Sequence, residues 1–307
     1  MISQTIIYMQ KNKKIILIGC GNMGLAHLKS ILTIKNKKIL VIEKRLSRIN
    51  FIKKNYKSKD LKISNMLPQN HFFDFGIIAT HSKDRFNLIN KLLRKNSVKY
   101  LLIEKFIFLK KREYNLAKNL FVKKSTKAFV NIWAKLFINI CKLKKLKKID
   151  YLKISIRRGR ILTNLIHYLS IIESLINRGV DISFDKNKFK FTKFQKNNFT
   201  EYYGKIIIKS RSQIIGSIAE SKDKYDYFFL KSKNYEKTFQ IKETKIVFKD
   251  NLNNKKIFNF PLSSKTTKKI LYNVSSSAKK IVPNFNEASF TSKKILKKIK
   301  FKNLRIR

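Results

Sequence analysis

Short apolar runs alternate with amphipathic stretches through the first part of the chain. The runs at 14–18, 38–42, 75–80 and 100–104 are apolar at consecutive positions and too short for helices, the pattern of strands buried on both faces. Between them, residues 23–33, 47–55, 84–96 and 111–123 carry apolar positions at helical spacing. This alternation predicts a parallel, doubly wound sheet. Phe129-Val130-Asn131 reads as a last strand of that half or as the crossing into the next.

The second part has a different texture. A helix is expected at 135–148, a strand at 151–156 and an apolar helix at 164–177. Strand-like runs then follow at 205–209, 213–219, 226–230, 237–241, 245–248 and 256–260, with turn signals such as Asp250-Asn251 between them. Strands in succession predict an antiparallel sheet. Two helices, at 265–279 and 286–299, close the chain. The expected division is 1–126 for the α/β part and 127–307 for an α+β part, with the last helix packing back on the first.

Composition changes this picture little. A chain of 307 residues with 43% hydrophobic content can build two ordinary cores. Two cysteines form no disulfide framework, and neither a secretory leader nor a membrane span is read, so a soluble cytoplasmic protein is expected. The formal charge of +53 points towards nucleic acid or an anionic surface if taken alone. The excess is scattered lysine accompanied by many Asn, Ile, Phe and Tyr, as a strong base bias in the genome would produce. Drift with solvated lysines and a real preference for anionic ligands both remain open, but no aromatic-basic motif organises the charge for specific nucleic-acid binding. Four histidines without metal-site spacing suggest no metal.

The chemistry is concentrated after the first strand. Gly19-Cys20-Gly21-Asn22-Met23-Gly24 follows Ile15-Ile16-Leu17-Ile18 directly and opens the first helix. In this setting the first glycine permits a tight turn, Gly21 lets backbone approach a diphosphate, and Gly24 lets helix pack on sheet. The second strand ends at Glu43, about 20 residues beyond the glycines, where an acid binds ribose hydroxyls. A dinucleotide cofactor is therefore expected on Gly19, Gly21, Asn22, Met23, Gly24 and Glu43, with Thr80 at the same sheet edge. Glu43 favours NAD over NADP, although Lys44 and Arg45 beside it can accommodate a 2′-phosphate.

Three further motifs carry a resemblance. Asp74-Phe75-Gly76-Ile77-Ile78-Ala79-Thr80, Leu102-Ile103-Glu104-Lys105-Phe106 and Asn164-Leu165-Ile166-His167-Tyr168 resemble successive motifs of the Gfo/Idh/MocA oxidoreductases. The closing stretch, 286–299 followed by Leu304-Arg305-Ile306, is similar to that family's last helix and strand. The Asn-x-Ile-His-Tyr form and Val130-Asn131 are most similar to members associated with surface-glycan and nonulosonic-acid biosynthesis. The resemblance implies a Rossmann domain, then a domain with an open, mainly antiparallel sheet that covers the nicotinamide. It implies an NAD(P)-dependent enzyme acting on a sugar or nucleotide-sugar, with Glu104 and Lys105 beside the nicotinamide ribose and His167 in proton transfer at the substrate. Phe106 replaces the family's proline, and Thr163 and Ser170 stand where carboxylates are usual. The alternative is a cofactor-binding relative without turnover that serves as a partner or sensor.

Each site residue also has a plainer reading. Lys105 can be one more surface lysine, and His167, inside the apolar stretch 161–175, can be a hydrogen-bonded core histidine. Thr163 and Asn164 can contact substrate or simply start a helix. Arg157, Arg158 and Arg160 can grip an anionic substrate or stay solvated, His81 reads as a loop residue, and Trp133 as core. An exposed sheet face in the second part makes a homo-oligomer an expectation.

Overall fold

The computed structural model describes residues 12–299 except 147–148, 158–160, 177–178, 186–187, 195–196, 212, 243, 261–262 and 277–280. The expected strand at 304–306, together with Arg158 and Arg160, lies outside the described residues.

The first sheet is wholly parallel. Its strands are β1 (Lys13–Ile18), β2 (Lys37–Ile42), β3 (Leu61–Ser64), β4 (Phe72–Ile78), β5 (Ser97–Ile103) and β6 (Lys127–Val130), in the spatial order β3-β2-β1-β4-β5-β6. Helices α1 (Asn22–Leu32), α2 (Leu46–Asn55), α3 (Arg85–Lys95) and α4 (Lys111–Lys123) make the crossovers. Ile15, Ile16 and Leu17 of β1 are all fully buried, which is why that strand is apolar at successive positions. This is the doubly wound Rossmann order, and its winding reverses between β1 and β4, where such sheets bind ligands beyond the strand ends. Phe129-Val130 belongs to the sixth strand of this sheet, beyond residue 126. The edge strand β3 carries only two apolar residues in four positions, too weak a pattern to read from sequence.

After β6 come α5 (Ala134–Ile140), β7 (Tyr151–Arg157) and α6 (Ile161–Leu175). The expected helix at 135–148 is shorter than its pattern: Lys142 turns left-handed at φ 53°, and a single 3₁₀ turn, Leu143–Lys145, follows. Lysines crowd that end at helical spacing from one another, and their repulsion takes support from the helix.

The second sheet has the order β16-β15-β14-β13-β7-β12-β11-β8. Its remaining strands are β8 (Val180–Ser183), β11 (Ile206–Ser210), β12 (Gln213–Ser221), β13 (Asp226–Ser232), β14 (Tyr235–Ile241), β15 (Lys245–Asp250) and β16 (Lys255–Asn259). Every pairing is antiparallel except β7 with β12. A separate hairpin, β9 (Phe189–Phe194) with β10 (Asn197–Tyr202), was not expected from the pattern. Leu152, Ile154 and Ile156 of β7 and Phe228 and Leu230 of β13 point inward at alternate positions, so one face of this sheet is core.

Two C-terminal helices, α7 (Thr267–Ser275) and α8 (Phe285–Lys298), tie the halves together. Phe285 packs among Phe108, Tyr114 and Phe121 of the first half. Asn284 caps α8 reciprocally with Glu287 and forms an isolated bridge to Phe129. One continuous apolar core results.

Candidate active site

The three glycines after β1 differ in what demands them. Gly19 has φ +85°, and a methyl group there would lie 2.7 Å from Thr80 Cγ2. At Gly24 a methyl group would lie 2.1 Å from the Gly19 carbonyl oxygen, an impossible approach. Gly21 has an ordinary φ of −67°, and the nearest atom to a methyl group there is Arg45 Nη2 at 3.8 Å. Among the described residues nothing requires a glycine at this point. Gly21 is also the N-cap of α1, which has neither a capping side chain nor an acid in its first turn, while Asn22 and Met23 are exposed. Open amides, positive helix potential and cleared space together form an anion cradle.

Glu43, at the tip of β2, is buried and already engaged. Its Oε1 accepts the backbone N–H groups of Lys44 (3.0 Å) and Arg45 (3.1 Å) and Arg45 Nε (3.0 Å). Its Oε2 accepts Cys20 N–H (2.8 Å) and Arg45 Nη2 (2.9 Å). Burial opposes the ionised form, but the Arg45 and backbone hydrogen bonds outweigh it and pull the carboxyl down to about 2. Burial, helped by Glu43, pushes the Cys20 thiol up to about 12, so it is no nucleophile.

Thr80 follows β4 across the switch point, and its hydroxyl is buried with no hydrogen-bond partner. Its carbonyl is held by Arg85, a residue the sequence pattern did not single out. The Arg85 guanidinium, at the start of α3, also donates to the carbonyls of Glu104, Phe106 and Ile107. Burial lowers this guanidinium to about 10, still cationic near neutrality. Arg85 thereby clamps the end of β4 to the loop after β5, and nothing in its local sequence separates it from the many other basic residues.

Glu104 is buried in that loop and accepts from His27 Nε2 (2.8 Å) and from the Asn131 amide. His27 Nδ1 in turn meets Thr267 Oγ1 at 2.6 Å. Burial opposes ionisation of Glu104, yet His27 and Asn131 hold its carboxyl below the usual range. A single polar chain thus runs from Thr267 of α7 through His27 of α1 to Glu104 in the β5 loop and on to Asn131. The Asn131 carbonyl oxygen is buried without a hydrogen-bond partner.

Lys105 comes next, across a cis peptide bond to Phe106. Its Nζ donates to the Thr163 carbonyl at 2.6 Å, one helical turn before His167 on α6. The His167 ring is 3% exposed and stacks on Trp133 with centroids 4.7 Å apart. Its Nδ1 accepts the Trp133 backbone N–H at 3.4 Å. Burial, with the Lys105 charge adding to it, holds this imidazole well below its ordinary value, so the ring is neutral. Lys105, Thr163 and His167 are therefore brought together, with Glu104 beside them in sequence.

Asn164 faces elsewhere. Its amide donates to Asp226 Oδ2 at 3.4 Å, and Tyr168 OH donates to the same oxygen at 2.7 Å. Asp226 Oδ1 accepts the Arg157 backbone N–H at 2.7 Å. Asp226, the first residue of β13, thus ties β7 to α6 rather than facing His167. Glu201 lies at the start of α6, where it accepts Leu162 N–H at 2.7 Å. Burial raises its carboxyl above the ordinary range although the Lys105 charge pulls the other way. Neither acid could be found by motif spacing, because both arrive from strands far along the chain. His81 is exposed in its loop. Among the described residues no group of three or more potential ligands could hold a metal ion, and no helix is long and apolar enough to cross a membrane.

No family profile matches the chain. No curated protein matches it in sequence either. Solved structures match its fold over nearly its whole length. A super-repressor mutant of Gal80p from Saccharomyces cerevisiae is similar with a TM-score of 0.71 at 10% identity, covering 94% of this chain and 95% of that one. The UDP-N-acetylglucosamine 3-dehydrogenase of Acidithiobacillus ferrooxidans gives 0.70 at 9% identity, covering 92% and 95%. A biliverdin reductase from Synechocystis, in complex with biliverdin and NADP+, gives 0.64 at 12% identity, covering 94% and 98%. The chain thus has the two-domain fold of Gfo/Idh/MocA-type oxidoreductases.

Proposed function

We propose that this chain is an NAD(P)-dependent oxidoreductase acting on a hydroxyl or carbonyl of a sugar or nucleotide-sugar, in the building of surface polysaccharide. Gly21 carries the reading: a glycine that neither φ nor packing demands, at the mouth of an uncapped helix, is explained by a ligand backbone or phosphate passing close by. The orphaned Thr80 hydroxyl on the other side of the switch point fits the same occupant. The UDP-N-acetylglucosamine 3-dehydrogenase among the similar structures supports the substrate class.

When bound, the nicotinamide ring gives or accepts the hydride. Lys105, held by Thr163 and by the Arg85-clamped loop, carries the proton at Nζ that the reacting oxygen gains in reduction or loses in oxidation. His167 has a different task. With Nδ1 accepting the Trp133 N–H, the neutral ring keeps its proton on Nε2, so it offers a hydrogen bond to a substrate oxygen rather than a basic lone pair. Asn164, turned to Asp226, takes no part in this chemistry.

Fluorescence titration with NADH and NADPH tests the reading, followed by incubation with sugars and nucleotide-sugars while the absorbance of reduced coenzyme is watched. Coenzyme binding with turnover is the expected result, and failure of both coenzymes to bind would remove the proposal. Binding without turnover on any substrate favours the second reading, a cofactor-dependent partner or sensor. The absence of acids at Thr163 and Ser170 and the likeness to a Gal80p super-repressor speak for it.

A further inference from the structure

The tip of β2 decides more than whether a dinucleotide binds. A carboxylate offers about four lone-pair directions. Glu43 receives five donors, three of them from backbone and two from the Arg45 guanidinium. No acceptor capacity remains for a pair of ribose hydroxyls unless Arg45 is displaced. The Glu43 side chain is 6% exposed and that of Arg45 57% exposed, so the acid is the buried member of the pair and the cation faces outward.

A guanidinium has five N–H donors in a fixed fork. Arg45 spends its Nε and Nη2 on Glu43, which leaves the donors of Nη1 and the second Nη2 hydrogen directed away from it. Nη2 stands 3.8 Å from the position a methyl group on Gly21 would take, so this outward face borders the glycine cradle. Lys44 is exposed beside it, and α2 has no acid in its first turn. A phosphate monoester, carrying roughly −1.5 to −2 near neutrality, meets cationic donors here, with Glu43 already neutralised by its partner.

We propose that Glu43 is the anchor of Arg45 rather than a ribose ligand, and that Arg45, with Lys44, makes the 2′-phosphorylated coenzyme, NADP, the preferred one. This rests on the reading of the glycine cradle as a dinucleotide site. It replaces the preference for NAD that Glu43 suggests when read from sequence alone.

The test is a direct binding measurement on the full chain at near-physiological salt: titration with NADPH and NADH, with 2′-AMP and 5′-AMP as competitors. The wild type is expected to bind NADPH at least about tenfold more tightly than NADH, and 2′-AMP better than 5′-AMP. Arg45→Ala, at an exposed side chain, is expected to weaken NADPH by about that factor and to leave NADH unchanged or tighter, since Glu43 is released. Lys53→Ala, at an exposed position of α2, controls for general attraction to a basic protein and should leave the ratio intact. Equal affinities, a preference for NADH, or an NADPH preference that survives Arg45→Ala would overturn the assignment of Arg45 while the dinucleotide reading stands. Failure of both coenzymes to bind would overturn the two together.

Discussion

His167 and Glu43 show how much of a residue's chemistry comes from its surroundings. His167 sits in an apolar stretch and would pass for core. Burial, with the nearby Lys105 charge adding to it, keeps the ring neutral, and the Nδ1 acceptor contact leaves its proton on Nε2. Lys105→Ala and His167→Ala are each expected to lower turnover by about 10²-fold or more while coenzyme affinity, followed by fluorescence, changes little. The pH–rate profile should then carry no inflection near 6.5 from His167. Both residues also contribute to acid stability. A group depressed in the folded state stabilises above its unfolded value and loses that contribution as pH falls. For His167 the loss begins below its ordinary value of 6.5, and for Glu43 it runs from 4.5 down to about 2. Chemical denaturation across this range should show both windows, and His167→Asn should abolish the upper one.

At the scale of elements, the glycine turn separates demands of folding from demands of binding. Gly24→Ala places a methyl group 2.1 Å from the Gly19 carbonyl, so α1 cannot keep its seat on β1. Gly21→Ala meets no such contact and costs a few tenths of a kcal/mol as an N-cap change, up to about 1. Thermal melting should therefore report a large loss for the first variant and little for the second. Coenzyme titration should report a loss of about tenfold or more for the second, folded as it is. In the second sheet Gly216 behaves like Gly24, since a methyl group would lie 2.1 Å from the Leu152 carbonyl on the neighbouring strand. At the closing helix, Asn284→Ala removes one arm of the capping box, an expected cost of about 1 kcal/mol in a denaturant titration. The strands and helices of the first half were legible because their cores are local patterns. The edge strand β3 was not, because its four residues carry little pattern and what holds it is pairing with β2, about twenty residues away.

Over the whole molecule the charge is the dominant fact. A formal +53 on 307 residues is far from neutral, and 18 acids cannot pair with 71 lysines and arginines. Several acids that do pair tie distant segments, as Glu173 to Lys294 (2.6 Å) and Glu287 to Lys135 (2.7 Å). Self-repulsion of the excess is screened by salt, with a Debye length that falls from about 30 Å at 0.01 M to about 8 Å at 0.15 M. The melting temperature should accordingly rise between these salt concentrations; a fall would mean that ion pairs outweigh repulsion. The C-terminal segment is the other whole-molecule device. Thr267 holds His27, which in turn holds Glu104, and Phe285 packs among Phe108, Tyr114 and Phe121, so the end of the chain braces both the glycine helix and, through it, the lysine loop.

Periodicity and turn chemistry alone determined the parallel first half, the antiparallel second half and the glycine turn between β1 and α1, since each of these is written in neighbouring residues. Lys105 and His167 were named by the resemblance of their motifs, not by periodicity. Tertiary structure decided what those residues are. Only the fold brings Thr163 under Lys105, Trp133 over His167 and Asp226 beside Asn164, and only the fold seats Arg85 behind the lysine loop. It also pairs Glu43 with Arg45. The physical reason is that protonation state and hydrogen-bond capacity depend on burial and on neighbours within a few ångströms, and those neighbours come from positions dozens of residues apart.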